Sequence, residues 1–192
     1  MLKSTGILAV DVMKKNISQI IEIPEGVNAG KEGREIIVKG KEGEIKKKIE
    51  TSKILLLIED KKIKLESKNA TKRERKTMNS LKAHIKNMIK GVQEQFEYQL
   101  KICSSHFPIS VELKDKEAII KNFLGEKVPR KAKILEGVNI ENKGNLIVIK
   151  SIDKELAGQT AANFEKATTV RARDRRIFQD GIFIIQKAGR KI

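Results

Sequence analysis

The chain of 192 residues has no tryptophan, one tyrosine, one cysteine and three prolines. A lone thiol, Cys103, excludes an intramolecular disulfide and a cysteine-based metal knuckle, and it suits a reducing, cytoplasmic setting. The two histidines, His84 and His106, have no metal-ligand spacing. Cys103 and His106 are three residues apart, but the sequence offers no third group to orient a thiol–imidazole nucleophile, so the pair is read as non-catalytic. With aromatics at 4%, no basic–aromatic–basic stretch of the kind that single-strand binders use for stacking is visible. The longest apolar run, Ile54 to Ile58, is far short of a membrane span. After Lys3, the ILAV string (7–10) has neither a long apolar region nor a convincing cleavage site, so the protein is expected to be soluble and not exported. The segment GKEGREIIVKGKEGE (30–44) is rich in Gly and Lys but lacks the P-loop order. The expectation is a protein with no enzymatic activity, no metal, no cofactor and no small-molecule substrate.

What the chain has in surplus is positive charge. Lys and Arg number 41 against 25 Asp and Glu, for a net charge of +16. The excess is spread over both halves, with 22 basic against 14 acidic residues in 1–100 and 19 against 11 in 101–192. A basic tail on a neutral body is therefore excluded, and a polyanionic partner is favoured. A solvated face or a thermophile's usage of Lys and Glu would account for many charges but not for this imbalance.

The sequence also repeats itself. REIIVKGKEGE (34–44) matches KEAIIKNFLGE (116–126) at an offset of 82, and KIKLES (62–67) matches LIVIKS (146–151) at an offset of 84. Two copies of this length argue for a duplicated small domain rather than a solenoid. In the first copy, QIIEIPEGV (19–27) reads as a short edge strand and turn, EIIVKG (35–40), EIKKKIE (44–50), KILLLIED (53–60) and IKLES as strands, and DKK (60–62) as a tight turn. Met78, Leu81, Ile85, Met88, Val92 and Phe96 then recur at three and four residues, which predicts a long helix opened by a Thr71–Glu74 capping box and weakened near its end by Gly91. The second copy repeats the plan with strands at 107–113, 117–123, 127–134, 138–141 and 145–151. A shorter helix follows, capped by Asp153 and burying Leu156, Thr160, Ala161, Phe164 and Ala167 or Thr168, and then a last strand GIFIIQ (181–186). Strands followed by one helix per unit predict an α+β fold of two tandem domains, each an antiparallel sheet packed with one helix. The expected division is a 1–16 extension, a first repeat 17–98, a second repeat 99–184 and a basic tail 185–192.

Three basic clusters stand out in the second half: Lys127, Arg130, Lys131 and Lys133 around Pro129, on an edge or loop; Arg171, Arg173, Arg175 and Arg176 after the second helix; and Lys187, Arg190 and Lys191 at the end. Six of the nine Arg lie beyond residue 125. The Arg fork matches phosphate geometry, so the second domain is expected to make the closer phosphate contacts. Lys46, Lys47 and Lys48 alternate along a strand, which leaves one face solvated or turned to RNA. With no stacking platform and no DNA recognition helix, folded RNA read through shape and phosphates is the expected partner.

NMIKGV (87–92), HFPI (106–109), NFLGEK (122–127), GQTAAN (158–163), ATTV (167–170) and DRRIFQDGI (174–182) together resemble the ribosomal protein L-six family of the large subunit, called L-nine in eukaryotic cytosolic ribosomes. The resemblance runs over about residues 17–190, and GQTAAN and DRRIFQDGI are closer to its archaeal branch. It implies a duplicated α+β fold and a structural role in the large ribosomal subunit, in the cytoplasm. It also implies binding to large-subunit rRNA, chiefly through the second domain. The site would be near the base of the sarcin–ricin loop, beside ribosomal proteins of the factor-binding stalk base. Within the matching segments the choice of Lys127 to Lys133, Arg171 to Arg176 and Lys187 to Lys191 rests on charge. Asn122, Gly125 and Glu126 either shape a hairpin or touch RNA. A free-standing RNA-binding or chromatin-type module is the alternative reading.

Overall fold

A computed structural model describes residues 15–49, 53–59 and 61–192. All but the last two residues of the expected N-terminal extension lie outside the described residues, as do Glu50 and Asp60, the expected ends of two strands. The first half runs β1 (Lys15–Glu22), β2 (Asn28–Glu32), β3 (Glu35–Gly40), β4 (Gly43–Lys48), β5 (Leu55–Glu59), β6 (Lys62–Ala70) and α1 (Lys72–Gln93). The second runs β7 (Phe96–Cys103), β8 (Ser110–Leu113), β9 (Glu117–Lys121), a 3₁₀ turn at Phe123–Gly125, β10 (Arg130–Lys133), β11 (Asn139–Lys143), β12 (Leu146–Ser151), α2 (Lys154–Ala167), β13 (Gly181–Lys187) and β14 (Arg190–Lys191).

The strands pair antiparallel in orders that repeat. β1-β6-β5 in the first half corresponds to β7-β12-β11 in the second, and β2-β3-β4 to β8-β9-β10. The matching strings of the sequence repeat are thus β3 with β9 and β6 with β12. The halves differ at one place. β13 adds to the free side of β7, so the position that is an edge in β1 becomes the centre of a five-stranded sheet. Each half is an α+β unit with its own core, as the repeat predicted. Ile36, Val38, Ile63 and Leu65 meet α1 in the first, and Leu100, Ile120, Ile147 and Ile149 meet α2 in the second.

Helix α1 forms for the reasons its sequence states. Met78, Leu81, Ile85, Met88 and Val92 line its buried face, joined by Ile89. At the N-cap, the Thr71 hydroxyl accepts from Arg73 N–H at 3.3 Å. The Glu74 carboxylate accepts from Thr71 N–H at 3.0 Å and from the Thr71 hydroxyl. Those bonds, the hydroxyl's first, hold the Glu74 carboxyl down at about 2. Phe96 departs from expectation. The chain leaves the helix at Glu94, and Phe96 opens β7, buried in the second core. The alternation in FEYQLKIC (96–103) is a half-buried strand pattern. The helical stripe running up to it masked that signal, and β7 begins ahead of the expected 98/99 division. Strand β2, NAGKE, was unpredicted because it has no apolar alternation; pairing to β3 alone defines it. On α2, Asp153 caps as expected and Thr160, Ala161 and Phe164 are buried, but Ala157 takes the fully buried place and Leu156 is half-buried. Near the end, Lys187, Arg190 and Lys191 form a hairpin. Ala188 and Gly189 both have positive φ, 48° and 83°, as a two-residue turn of right-handed twist requires.

The halves meet at a small junction. Ile152, between β12 and α2, packs against the first core. A Cβ added to Gly91 would lie 2.0 Å from the Ile152 carbonyl oxygen. Glu155 of α2 accepts from Lys47 and lies 2.7 Å from Nδ1 of His84. Lys47 therefore turns toward the second half, while Lys46 and Lys48 stay exposed. Gly91 was expected to weaken its helix. By intrinsic propensity, Gly91→Ala would stabilise α1 by about 1 kcal/mol. The contact reverses the sign: Gly91→Ala is expected to destabilise the protein by roughly 1–3 kcal/mol through overpacking. Denaturant unfolding of the variant checks this.

Candidate nucleic-acid interface

The first basic cluster divides on inspection. Arg130 begins β10 with a half-buried guanidinium committed inside the fold. Its Nε and Nη2 donate to the two Glu126 oxygens at 2.8 and 2.6 Å. Nη1 donates to the carbonyls of Ala167 and Thr169 at 2.9 and 3.0 Å. The plane lies 4.2 Å over the Phe123 ring. The Arg130 hydrogen bond holds the Glu126 carboxyl below the usual carboxylate range. Charge alone had placed Arg130 among the phosphate-contacting residues; the geometry makes it the tie between the 123–126 turn and the end of α2. Asn122, left-handed at φ 58°, donates from Nδ2 to Pro108 O at 3.0 Å. Glu126 and Asn122 thus both shape the turn. Lys127 beside them is exposed and has no ion pair among the described residues. Lys131 pairs with Glu117 at 3.0 Å, and Lys133 is exposed.

The arginine loop is rooted in buried polar contacts. The Thr168 hydroxyl donates to Phe164 O at 3.1 Å and accepts from Ile182 N–H at 2.9 Å, joining the two ends of the loop. Asp180, only 1% exposed, accepts from the N–H groups of Ser105 and His106 at 2.5 and 3.1 Å. Its other oxygen lies 2.5 Å from Nδ1 of His106. Burial works to raise the Asp180 pKa. The His106 side chain and the two backbone amides outweigh it and hold the carboxyl below its ordinary value. The His106 ring stacks on Phe178, with centroids 5.0 Å apart. His106 therefore serves the loop through Asp180 and Phe178. No local pattern in the sequence marks Asp180 as an anchor, because its partner His106 is 74 residues away.

From these roots the cations project. Arg171, Arg173, Arg175 and Arg176 are all exposed. Arg173 lies 4.8 Å over the Phe178 ring. Arg176 pairs with Asp174 at 2.9 Å, an exposed pair that contributes little. Arg171 and Arg175 have no ion pair among the described residues. The Ala167 and Thr169 carbonyls held by Arg130 bring Lys127 and this loop to one side of the second half. Lys187, Arg190 and Lys191 are set apart. β13 runs from Gly181, opposite Cys103, to Lys187, opposite Tyr98, which puts the hairpin about 20 Å away at the other end of the sheet. One feature was missed: Lys82, Lys86 and Lys90 form a cationic ridge on α1 at four-residue spacing, with no acid paired to them among the described residues. The periodicity that found the helix's apolar stripe would also have found this one.

Among the described residues no group of three His, Cys, Asp or Glu is arranged to hold a metal, and no helix is long and apolar enough to cross a membrane. Two α+β repeats, the second with an arginine loop anchored by the buried Asp180 and Thr168, form a cationic scaffold suited to a polyanion. The family model described as Ribosomal protein L6 matches residues 23–95 and again 107–181. Proteins called large ribosomal subunit protein uL6 align along nearly the whole chain. The one from Methanococcus vannielii is 44% identical, covering 91% of this chain and 96% of its own length. That from Methanothrix thermoacetophila is 43% identical, covering 91% and 99%. That from Aeropyrum pernix is 42% identical, covering 90% and 95%. The chain belongs to the ribosomal protein L6 family, a structural and non-enzymatic one, and is similar to its archaeal members.

The Asp180 carboxylate has a measurable consequence. A carboxyl whose pKa is depressed by folding stabilises the native state above the unfolded value, about 4, and loses that contribution as pH falls through the folded value. Asp180→Asn is expected to cost about 1–3 kcal/mol at neutral pH. It should also flatten the decline of stability below pH 4, as followed by thermal melts across that range.

Proposed function

We propose that the chain is a structural constituent of the large ribosomal subunit and binds large-subunit rRNA through its second half. The observation that carries this reading is the cationic side built by Lys127 and the 171–176 loop. Its roots are tied down by Arg130, Thr168 and Asp180, while Arg171 and Arg175 point to solvent without an acidic partner among the described residues. Phosphates placed there would be neutralised by side chains whose loop is already ordered, so little entropy is lost on binding. Such contacts position rRNA and hold its shape; they read no base sequence by themselves. The hairpin with Lys187, Arg190 and Lys191 supplies a second phosphate contact, and the α1 ridge a third, which suits one rigid body bridging separate rRNA segments. Family membership supports the large subunit, in the cytoplasm. The resemblance of NFLGEK and DRRIFQDGI supports a place near the base of the sarcin–ricin loop, beside neighbouring ribosomal proteins of the stalk base. Its contribution to translation would be to hold the factor-binding region in place.

In a sucrose gradient of cell extract the protein is expected to migrate with the large subunit at both low and high salt. Migration with light complexes instead would favour a free-standing RNA-binding module. Replacing Arg171, Arg173, Arg175 and Arg176 together by Ala is expected to weaken binding to large-subunit rRNA and to flatten its salt dependence. The log–log slope should fall by about 0.7–0.9 units for each phosphate left without its cation. A slope equal to that of the unaltered protein would remove this loop from the interface.

A further inference from the structure

Between the side of α2 and the outer edge of β13 lies a cleft of about 1020 Å³, at the upper end of the roughly 300–1,000 Å³ of small-molecule sites. Its composition is unusual for so basic a molecule. Phe183 and Phe178 contribute rings, and Arg175 and Lys166 contribute cations. Phe183 is 45% exposed, on a strand whose neighbour Ile182 is fully buried. The Phe183 ring lies across Gly181, where an added Cβ would come within 3.0 Å of it. One side of the ring thus rests on backbone. Phe178 is held between His106 and Arg173. Both aromatics are positioned before any ligand arrives.

The two acids of the cleft each have partners within the protein. Asp180 is engaged by Ser105 and His106, and Glu165 accepts from Ile184 N–H at 3.2 Å. The outward amides of β13 at Ile182 and Ile184 are therefore both taken by side chains, Thr168 and Glu165. That closes the strand edge to a peptide adding as a further strand, a recurring way for such an edge to take a protein partner. A flat π-bearing group beside a phosphate meets the remaining chemistry: rings for stacking, and Arg175 and Lys166 for charge.

We infer that this cleft receives an unstacked nucleotide of the bound rRNA, its base against Phe183 and its phosphate between Arg175 and Lys166. The inference rests on the rRNA-binding reading and adds a base contact to what is otherwise phosphate recognition. The sequence hid it because Phe183 sits in the apolar string of the last strand and Lys166 comes from α2, so only the fold brings them beside Arg175 and Phe178.

The test is binding of the full chain to purified archaeal large-subunit rRNA over a range of salt, with Phe183→Leu, Phe183→Tyr and Arg175→Ala. Thermal melts verify that each variant is folded. Base–aromatic stacking sets the expected loss for Phe183→Leu at about 5- to 150-fold in affinity with the salt slope unchanged. Phe183→Tyr should bind as the unaltered chain does, and Arg175→Ala should reduce the slope. Phe183→Leu binding at full strength, with Arg175→Ala still weakened, would overturn the nucleotide cleft and leave the rRNA interface standing. If neither variant changed binding, the loop itself would leave the interface. Full rRNA binding by Phe183→Leu, combined with its loss from assembled subunits, would assign the cleft to a neighbouring protein and equally overturn the proposal.

Discussion

A chain with a net charge of +16 repels itself, and its cationic loops keep a shape only if acids hold their roots. That constraint organises the second half. Glu126 takes the Arg130 fork, and the rest of that guanidinium binds the last carbonyls of α2. Asp180 gathers the 105–106 backbone and His106. Both of these acids are committed to ordering the loops, whereas Asp174 and Glu117 pair with Arg176 and Lys131 at the surface. Lys127, Arg171 and Arg175 face out with no acidic partner among the described residues, an arrangement that keeps positive potential at the surface without leaving the loops free.

The duplication supplied two similar frames, and β13 made them unlike. In the first half β1 stays at an edge; in the second, its counterpart β7 is enclosed on both sides. The added strand brings the arginine loop with it, since the loop is the connection from α2 to β13. The concentration of exposed arginines in the second half is thus tied to topology. The first half contributes the junction, where Ile152 seats against its core beside Gly91, and Glu155 meets Lys47 and His84. The contact is small, but it joins the two halves through both packing and charge.

Legibility in the sequence followed the range of each interaction. The capping box, the α1 stripe and β3 were plain, because each is a pattern within one element. Pro129 correctly marked an edge: β10 closes its sheet. Strand β7 was visible in FEYQLKIC but hidden by a helical stripe that happened to continue in phase to Phe96. Strand β2 carried no pattern at all, since a strand can be defined by its neighbour's hydrogen bonds alone. Charge found the basic segments, yet could not separate Arg130, whose guanidinium makes four hydrogen bonds within the fold, from Arg171, which has no acidic partner among the described residues.

By itself the sequence determined the duplicated α+β plan, the polyanion-directed charge and the family, because hydrophobic period, composition and matching strings are all properties of the chain read along its length. Only the tertiary structure decided which cations are free, where Asp180 and His106 meet, why Gly91 must lack a side chain, and that Phe178 and Phe183 share a cleft with Arg175. Each of these depends on distances between residues far apart in the chain, and such distances exist only after the sheets and helices have packed.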